Sequence, residues 1–279
     1  MQFSATTIYI FVLSALTSDS WHFPLLKASA TKKRLSPTWI LVLGLIALPA
    51  AGQTSASAIL SQVANAFSAG KPVSQVQLNG SANWYAGSLE DSGTATLTAS
   101  STGAAQMQLS LAKTGSWTES QSDIGMGMTC QWAGNDGTAH PGDVMNCLRP
   151  AVWFLPSISL QPTAIPAGVG VADLGTGPVG SGTYRHLQTQ AVLPGMPNEL
   201  LSRSVEASTT DLGIDPTTTL PSVLRYQVHP DNGANVDIPI EIRYSNYQKV
   251  NGAEIPFLIQ RYVNGSLQLE IQVNSAQIS

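Results

Sequence analysis

Histidine, cysteine and acidic side chains are the groups in this chain that could do chemistry, and their spacing assigns them little of it. A Ser-His-Asp hydrolase needs an imidazole to take the serine proton. Beyond residue 52 the histidines are His140, His186 and His229, and none stands beside a G-x-S-x-G elbow. His140 falls in a turn-rich loop and His229 precedes Pro230, which places both on the solvated surface. His186 follows Tyr184 and Arg185 in a strand-like run, the setting of an exposed or hydrogen-bonded sheet histidine. Glycoside hydrolysis needs two carboxylates across a cleft, whereas Glu90 and Asp91 are neighbours in a predicted turn and read as a solvated acidic tip. Asp231, Gly233, Asn235 and Asp237 resemble the start of a calcium loop. The twelfth position is Ile242 where a carboxylate is required, and the Asn232-Gly233 pair reads better as a hairpin turn. The expectation is therefore no catalytic residue, no metal and no cofactor.

Cys130 and Cys147 are the two cysteines. In an exported chain such a pair is expected to form a disulfide, and closing this loop stabilises by about 3 kcal/mol through lost chain entropy. The enclosed residues 131–143 are rich in Gly, Asn, Asp and Pro, so the bond would staple an irregular excursion to a sheet. A metal held by the cysteines with His140 and Asp143 lacks the paired C-x-x-C or H-x-x-x-H spacing.

Export is read from the N-terminus. Lys32, Lys33 and Arg34 precede the apolar run Trp39–Leu48, and small residues Ala50, Ala51 and Gly52 follow. That order is a secretory signal whose apolar stretch is too short to span a bilayer. Residues 1–52 are expected to be a signal peptide with an extended start, cleaved near Gly52/Gln53. The alternative is an uncleaved anchor in the inner membrane. A second apolar run, Ile8–Leu13, lies upstream of the charges. Removing residues 1–52 takes away four basic residues and one acidic one, leaving nine against sixteen and a net charge of −7. A domain this acidic is a poor partner for nucleic acid, whose affinity comes mostly from neutralised phosphates, and for anionic headgroup surfaces. Residues 53–279 are a length that one β domain reaches.

These residues must be positioned by elements that the periodicity suggests. A helix begins at Ser55 or Ser57, carries Ile59, Leu60, Val63, Ala64 and Phe67 on one face, and ends at Gly70 and Pro72. Alternating runs follow: Val76, Leu78, Ala82 and Trp84; Ala95, Leu97 and Ala99; then Met107, Leu109 and Leu111. Asn232-Gly233, Asn251-Gly252 and Asn264-Gly265 each separate two β-rich runs, so residues 222–278 read as a four-stranded antiparallel meander. Its last strand puts Leu267, Leu269, Ile271 and Val273 on one face. Between them, 150–182 is crowded with proline and glycine, and reads as a helical turn at Ala151–Leu155 followed by a long loop.

This layout resembles the periplasmic lipoprotein-carrier superfamily, the LolA and LolB type. The resemblance is carried by Leu220–Tyr226, Ile240–Tyr247, Val250–Phe257 and Leu267–Asn274, a strand ending in tyrosine, a Val-Asn-Gly turn, Ile-Pro-Phe and a further strand. It implies a mainly β, α+β fold: a curved antiparallel sheet or half-barrel with an N-terminal helix and a C-terminal hairpin meander, one domain over residues 53–279. It implies too that the protein is no enzyme but a periplasmic or extracellular binding protein. Lipid or lipoprotein acyl chains would lie in an apolar groove, each buried CH₂ contributing about 0.8 kcal/mol. Trp84, Trp117, Phe154 and Phe257 are the candidate lining residues. The alternative is an envelope structural protein with a filled core that contacts a protein partner.

Overall fold

The computed structural model describes residues 55–124, 127–165, 168–191, 198–230 and 236–279. The expected signal peptide, its cleavage site and the Asn232-Gly233 turn lie outside them.

The chain enters through helix α1 (Ala56–Ser68), whose buried residues Ile59, Leu60, Val63, Ala64 and Phe67 form the expected stripe. Ser55 holds the cap position, but its hydroxyl pairs with that of Ser57 at 3.0 Å and makes no capping bond. Ala69 and Gly70 stop the helix at φ 52° and 73°.

Six strands follow: β1 (Gln75–Ala86), β2 (Leu89–Ser100), β3 (Ala105–Leu111), β4 (Gly115–Ile124), β5 (Gly127–Ala133) and β6 (Ala139–Pro141). A covering segment contains a 3-10 turn at Asn146–Leu148 and the one-turn helix α2 (Pro156–Ser159). The second half is β7 (Val169–Val179), β8 (Gly182–Ala191), α3 (Asn198–Ser208), β9 (Thr210–Ile214), β10 (Pro221–Val228), β11 (Ile238–Val250), β12 (Ala253–Val263) and β13 (Ser266–Ile278). All thirteen strands belong to one open sheet in the order β6-β5-β4-β3-β2-β1-β13-β12-β11-β10-β9-β8-β7. Two meanders thus run outward from the centre, where the first strand pairs antiparallel with the last.

Two of the three Asn-Gly signals lie within the described residues, each at a hairpin turn. Asn251 and Gly252 take φ 47° and 92°, and Asn264 and Gly265 take 51° and 80°, the left-handed pair that matches strand twist. At the β1–β13 seam the register shifts between Asn79 and Gly80, where a Cβ on Gly80 would collide with the Gln272 carbonyl.

The proline- and glycine-rich stretch is a correction to the sequence reading. The expected helical turn is present, but residues 169–179 of the expected long loop form an eleven-residue strand, β7, paired to β8 along its length. Its glycines and Pro178 are tolerated because β7 is an edge of the sheet, with one side needing no partner. Gly175, at φ 80°, sits in the bulge between Asp173 and Thr176.

One face of the sheet is apolar and concave. Cross-strand pairing sets Leu187, Leu212, Leu224, Ile242, Arg261, Leu269, Trp84 and Asp91 in a row running from β8 to β2, and Arg261 is the cation among aliphatic and aromatic neighbours. Curvature is shown by one contact. Strands β4 and β12 are five steps apart, about 24 Å in a flat sheet, yet Glu119 of β4 and Arg261 of β12 approach to 3.3 Å.

Candidate functional site beneath the covering segment

Residues 142–161 cross the mouth of the curved sheet, and the sequence pins them on both sides. Cys147 is disulfide-bonded to Cys130 of β5, with their Cα atoms 5.2 Å apart, as the cysteine arithmetic predicts. Next to it, Asn146 clamps β10's exit: its amide donates to the His229 carbonyl at 2.8 Å, and its oxygen accepts from the His229 N–H at 2.9 Å. Gln121 of β4 donates to the carbonyls of Cys147 and Arg149 at 2.7 and 2.8 Å. Farther on, the Tyr244 hydroxyl donates to the Trp153 carbonyl. Gln161 satisfies both the N–H and the carbonyl of Val73, at 3.0 and 2.9 Å. Each pin satisfies a polar group that the sheet itself leaves unpaired at this depth.

Val152, Trp153, Phe154, Leu155 and Ile158 point from this segment into the concavity, each at most 4 % exposed. Trp153 and Phe154 meet edge to face with centroids 5.5 Å apart. The gap left between them and β3–β4 is about 10 Å³, room for one water.

Under Trp153 lies a charged island. The Arg261 side chain is 7 % exposed and the Glu119 side chain 15 %. Glu119 accepts from the Trp117 indole at 3.0 Å, from Arg261 Nη1 at 3.3 and 3.4 Å, and faces Arg149 Nη2 at 3.8 Å. Burial works to raise the Glu119 pKa, but Arg261 and then Arg149 outweigh it, so its carboxyl is held below the usual range. The Arg261 guanidinium lies over the ring of Trp153, 5.1 Å from its centre, and over that of Trp84, 5.6 Å away. Arg261 Nε is buried and has no hydrogen-bond partner. Burial pushes the neighbouring Tyr226 hydroxyl up, against the opposing pull of Arg149 and Arg261. Burial likewise raises the hydroxyls of the buried Tyr244 and the partly buried Tyr247, so all three phenols stay neutral.

Of the four residues expected to line a groove, the structure gathers three around this island. Trp84 faces Arg261, Trp117 holds Glu119, and Phe154 packs on Trp153. Phe257, partly buried on β12, is four residues from Arg261, about 13 Å along the strand. Trp117 also begins a ladder of parallel rings, 5.0 Å from Trp132, which lies 4.3 Å from His140.

Three polar residues differ from the sequence reading. Asp91 is no solvated tip: it is 2 % exposed and accepts bonds from the backbone of Ser92, Lys113 and Thr114, which orders the β3–β4 turn. His140 stands in β6 within the ring ladder, and His229's side chain is 10 % exposed, facing Asp237 at 3.3 Å. His186 is the sheet histidine expected, 2.8 Å from Asp211. Sequence reasoning passed over Arg261 and Glu119. The signal was present in β12, where Ile255, Phe257, Ile259 and Arg261 share one parity and the last breaks an apolar series. No group of metal-ligating side chains occurs among the described residues.

No protein-family model matches the sequence, and no curated protein matches it. Solved structures are similar in fold. A putative outer membrane lipoprotein-sorting protein domain from Vibrio parahaemolyticus superposes with a TM-score of 0.50 at 6 % identity, covering 81 % of this chain and 92 % of that one. A LolA superfamily protein from Nitrosomonas europaea gives 0.49 at 10 % identity, covering 80 % and 93 %. A DUF1329 family protein from Desulfovibrio piger gives 0.48 at 9 % identity, covering 80 % and 91 %. The thirteen-stranded open sheet, with its apolar concave face covered by short segments, shares its fold with the lipoprotein-sorting protein domain from Vibrio parahaemolyticus.

Proposed function

We propose that the protein is an exported, periplasmic, non-catalytic binding protein that carries or senses a molecule bearing acyl chains, a lipid or a lipidated protein. The observation that carries this reading is the way the concave face is covered. No second sheet packs on it among the described residues. It is closed by α1 and by residues 142–161, a segment joined to the sheet through one disulfide and a few side-chain bonds. Lifting Trp153, Phe154 and Leu155 would uncover an apolar surface formed by Leu78, Leu97, Met107, Leu109, Leu269 and Ile271, each at most 1 % exposed in the closed state. Such a surface binds hydrocarbon through area alone, at about 25 cal/mol per Å². In this reading Trp84, Trp117, Phe154 and Phe257 line the uncovered space.

A second reading is favoured by one specific observation. The gap of about 10 Å³ between Trp153, Phe154 and β3–β4 admits one water and no acyl chain. If the cover never lifts, the protein is a filled-core envelope protein that acts through a protein partner.

The full chain, expressed in a compartment that forms disulfides, distinguishes the two. Native mass spectrometry after gentle extraction is expected to show a stoichiometric acyl-bearing species. Hydrogen exchange should show residues 142–161 exchanging faster in the loaded form. An empty protein that ignores added phospholipid and lipopeptide would leave the filled-core reading, with its partner to be found by crosslinking.

A further inference from the structure

The charged island has no structural need to be there. A half-barrel closes well on aliphatic residues, and burying an ion pair rarely stabilises more than apolar residues of the same shape. Arg261 is also incompletely used. Of its five donors, Nη1 is spent on Glu119 at long range, 3.3 and 3.4 Å, and the buried Nε has no partner. Glu119 cannot turn to satisfy it, because the carboxylate is tied by the Trp117 indole at 3.0 Å and faces Arg149. The guanidinium lies over the ring of Trp84, fixed in β1, and over that of Trp153, which belongs to the covering segment. When that segment lifts, the guanidinium loses the Trp153 ring and becomes the one cation in its row, flanked by Ile242 and Leu269, with an unspent donor. Buried orphan donors are rare in folded proteins and call for an acceptor.

We propose that Arg261 is a headgroup anchor, and that the ligand of the concave face carries an oxyanion, a phosphate or a carboxylate, at the head of its acyl chain. The inference rests on the binding-protein reading and narrows it. An acyl chain alone would leave Arg261 Nε unpaired after binding, and an oxyanion completes it with a charge-assisted bond. The chain would then run from Arg261 over Leu269 and Ile271 toward β1 and β2, where the concave residues are aliphatic. A neutral acyl glyceride or an uncharged lipopeptide fills the same apolar surface without using the guanidinium.

The test uses the full-length oxidised protein and four ligands of one chain length: a monoacylglycerol phosphate, the free fatty acid, the neutral monoacylglycerol and an uncharged acylated peptide. Binding is measured by equilibrium dialysis at fixed pH. The phosphate, the carboxylate or both are expected to bind about tenfold or more tightly than the neutral glyceride, the ratio that a charge-assisted bond typically gives. Comparing the two anionic arms names the headgroup. Arg261→Met, checked for fold by circular dichroism, is expected to bring that ratio close to one. Equal binding of charged and neutral ligands by the unaltered protein would overturn the oxyanion and leave the binding-protein reading standing. A preference that survives in folded Arg261→Met would overturn the assignment to Arg261. No binding of any of the four would overturn the binding-protein reading itself. The ligand series on the unaltered protein decides the matter even if the variant fails to fold.

Discussion

Glu119→Gln tests whether the island is one electrostatic unit. The substitution keeps the shape and one acceptor oxygen but removes the charge opposite Arg261, whose side chain is 7 % exposed. Breaking a buried pair from one side leaves an uncompensated charge and costs about 3–5 kcal/mol. For a protein of this size each kcal/mol moves the melting midpoint by about 2–4 °C, so a fall of about 10 °C is expected at neutral pH. The pH dependence supplies a sharper check. Because the Glu119 carboxyl is held below its ordinary range in the fold, by Arg261 and Arg149 against the opposing effect of burial, its contribution is complete above the unfolded carboxylate pKa. It is lost as pH falls through the lower folded value. The gap between wild type and Glu119→Gln should therefore be widest near pH 7 and narrow steadily in acid. Urea unfolding of both proteins from pH 7 to pH 3, with the disulfide intact, reads this directly. A loss below about 1 kcal/mol at pH 7, the worth of an exposed pair, or a gap that stays constant into acid, would refute the electrostatic account of the island.

Three further outcomes follow from the same geometry. Replacing both Cys130 and Cys147 with serine should lower stability by about 3 kcal/mol in urea and speed exchange in residues 142–161; an unchanged exchange pattern would mean that the side-chain pins alone hold the cover. Asn146→Ala removes the reciprocal pair with His229 and should cost about 1–3 kcal/mol, with new exchange at the His229 amide as its signature. Asp91→Asn should destabilise the β3–β4 turn above the carboxylate range and make less difference in acid. The Asp91 carboxyl is kept low by N–H and hydroxyl donors of Thr114, Lys113 and Ser92, which outweigh the opposing desolvation, so its contribution disappears as pH falls through the folded value. Thermal melts at pH 7 and pH 3 check the sign.

The fold was legible wherever one face of an element had to be dry. The stripe of α1, the alternation in β1–β3 and β13, and the Asn251-Gly252 and Asn264-Gly265 turns follow from local periodicity and from backbone angles that few residues adopt, and each appears where the sequence places it. Strand β7 was illegible because proline and glycine report what a backbone tolerates, not what pairs with it. Only its position at the sheet edge makes an eleven-residue strand of such residues reasonable. Helix α3 offered no comparable stripe, and its buried Ser204 and Ser208 are polar, the latter bonding the N–H and carbonyl of Ala191.

The site was legible as a set of aromatics and illegible as a constellation, for a reason of scale. Glu119 and Arg261 are separated by 142 residues in the chain and by five strand-to-strand steps across the sheet. Their meeting depends on accumulated sheet curvature, which no local window contains. What a window does contain is parity. A charge in phase with Ile255, Phe257 and Ile259 must either face the core with a partner or force a register change. The register shift in β12 comes one residue later, between Arg261 and Tyr262. Arg261 therefore stays in phase with the core, and the fold meets its charge from the far meander, through Glu119, instead of turning it out to water. That choice places a cation between Ile242 and Leu269 in the concave row and leaves one of its donors unspent.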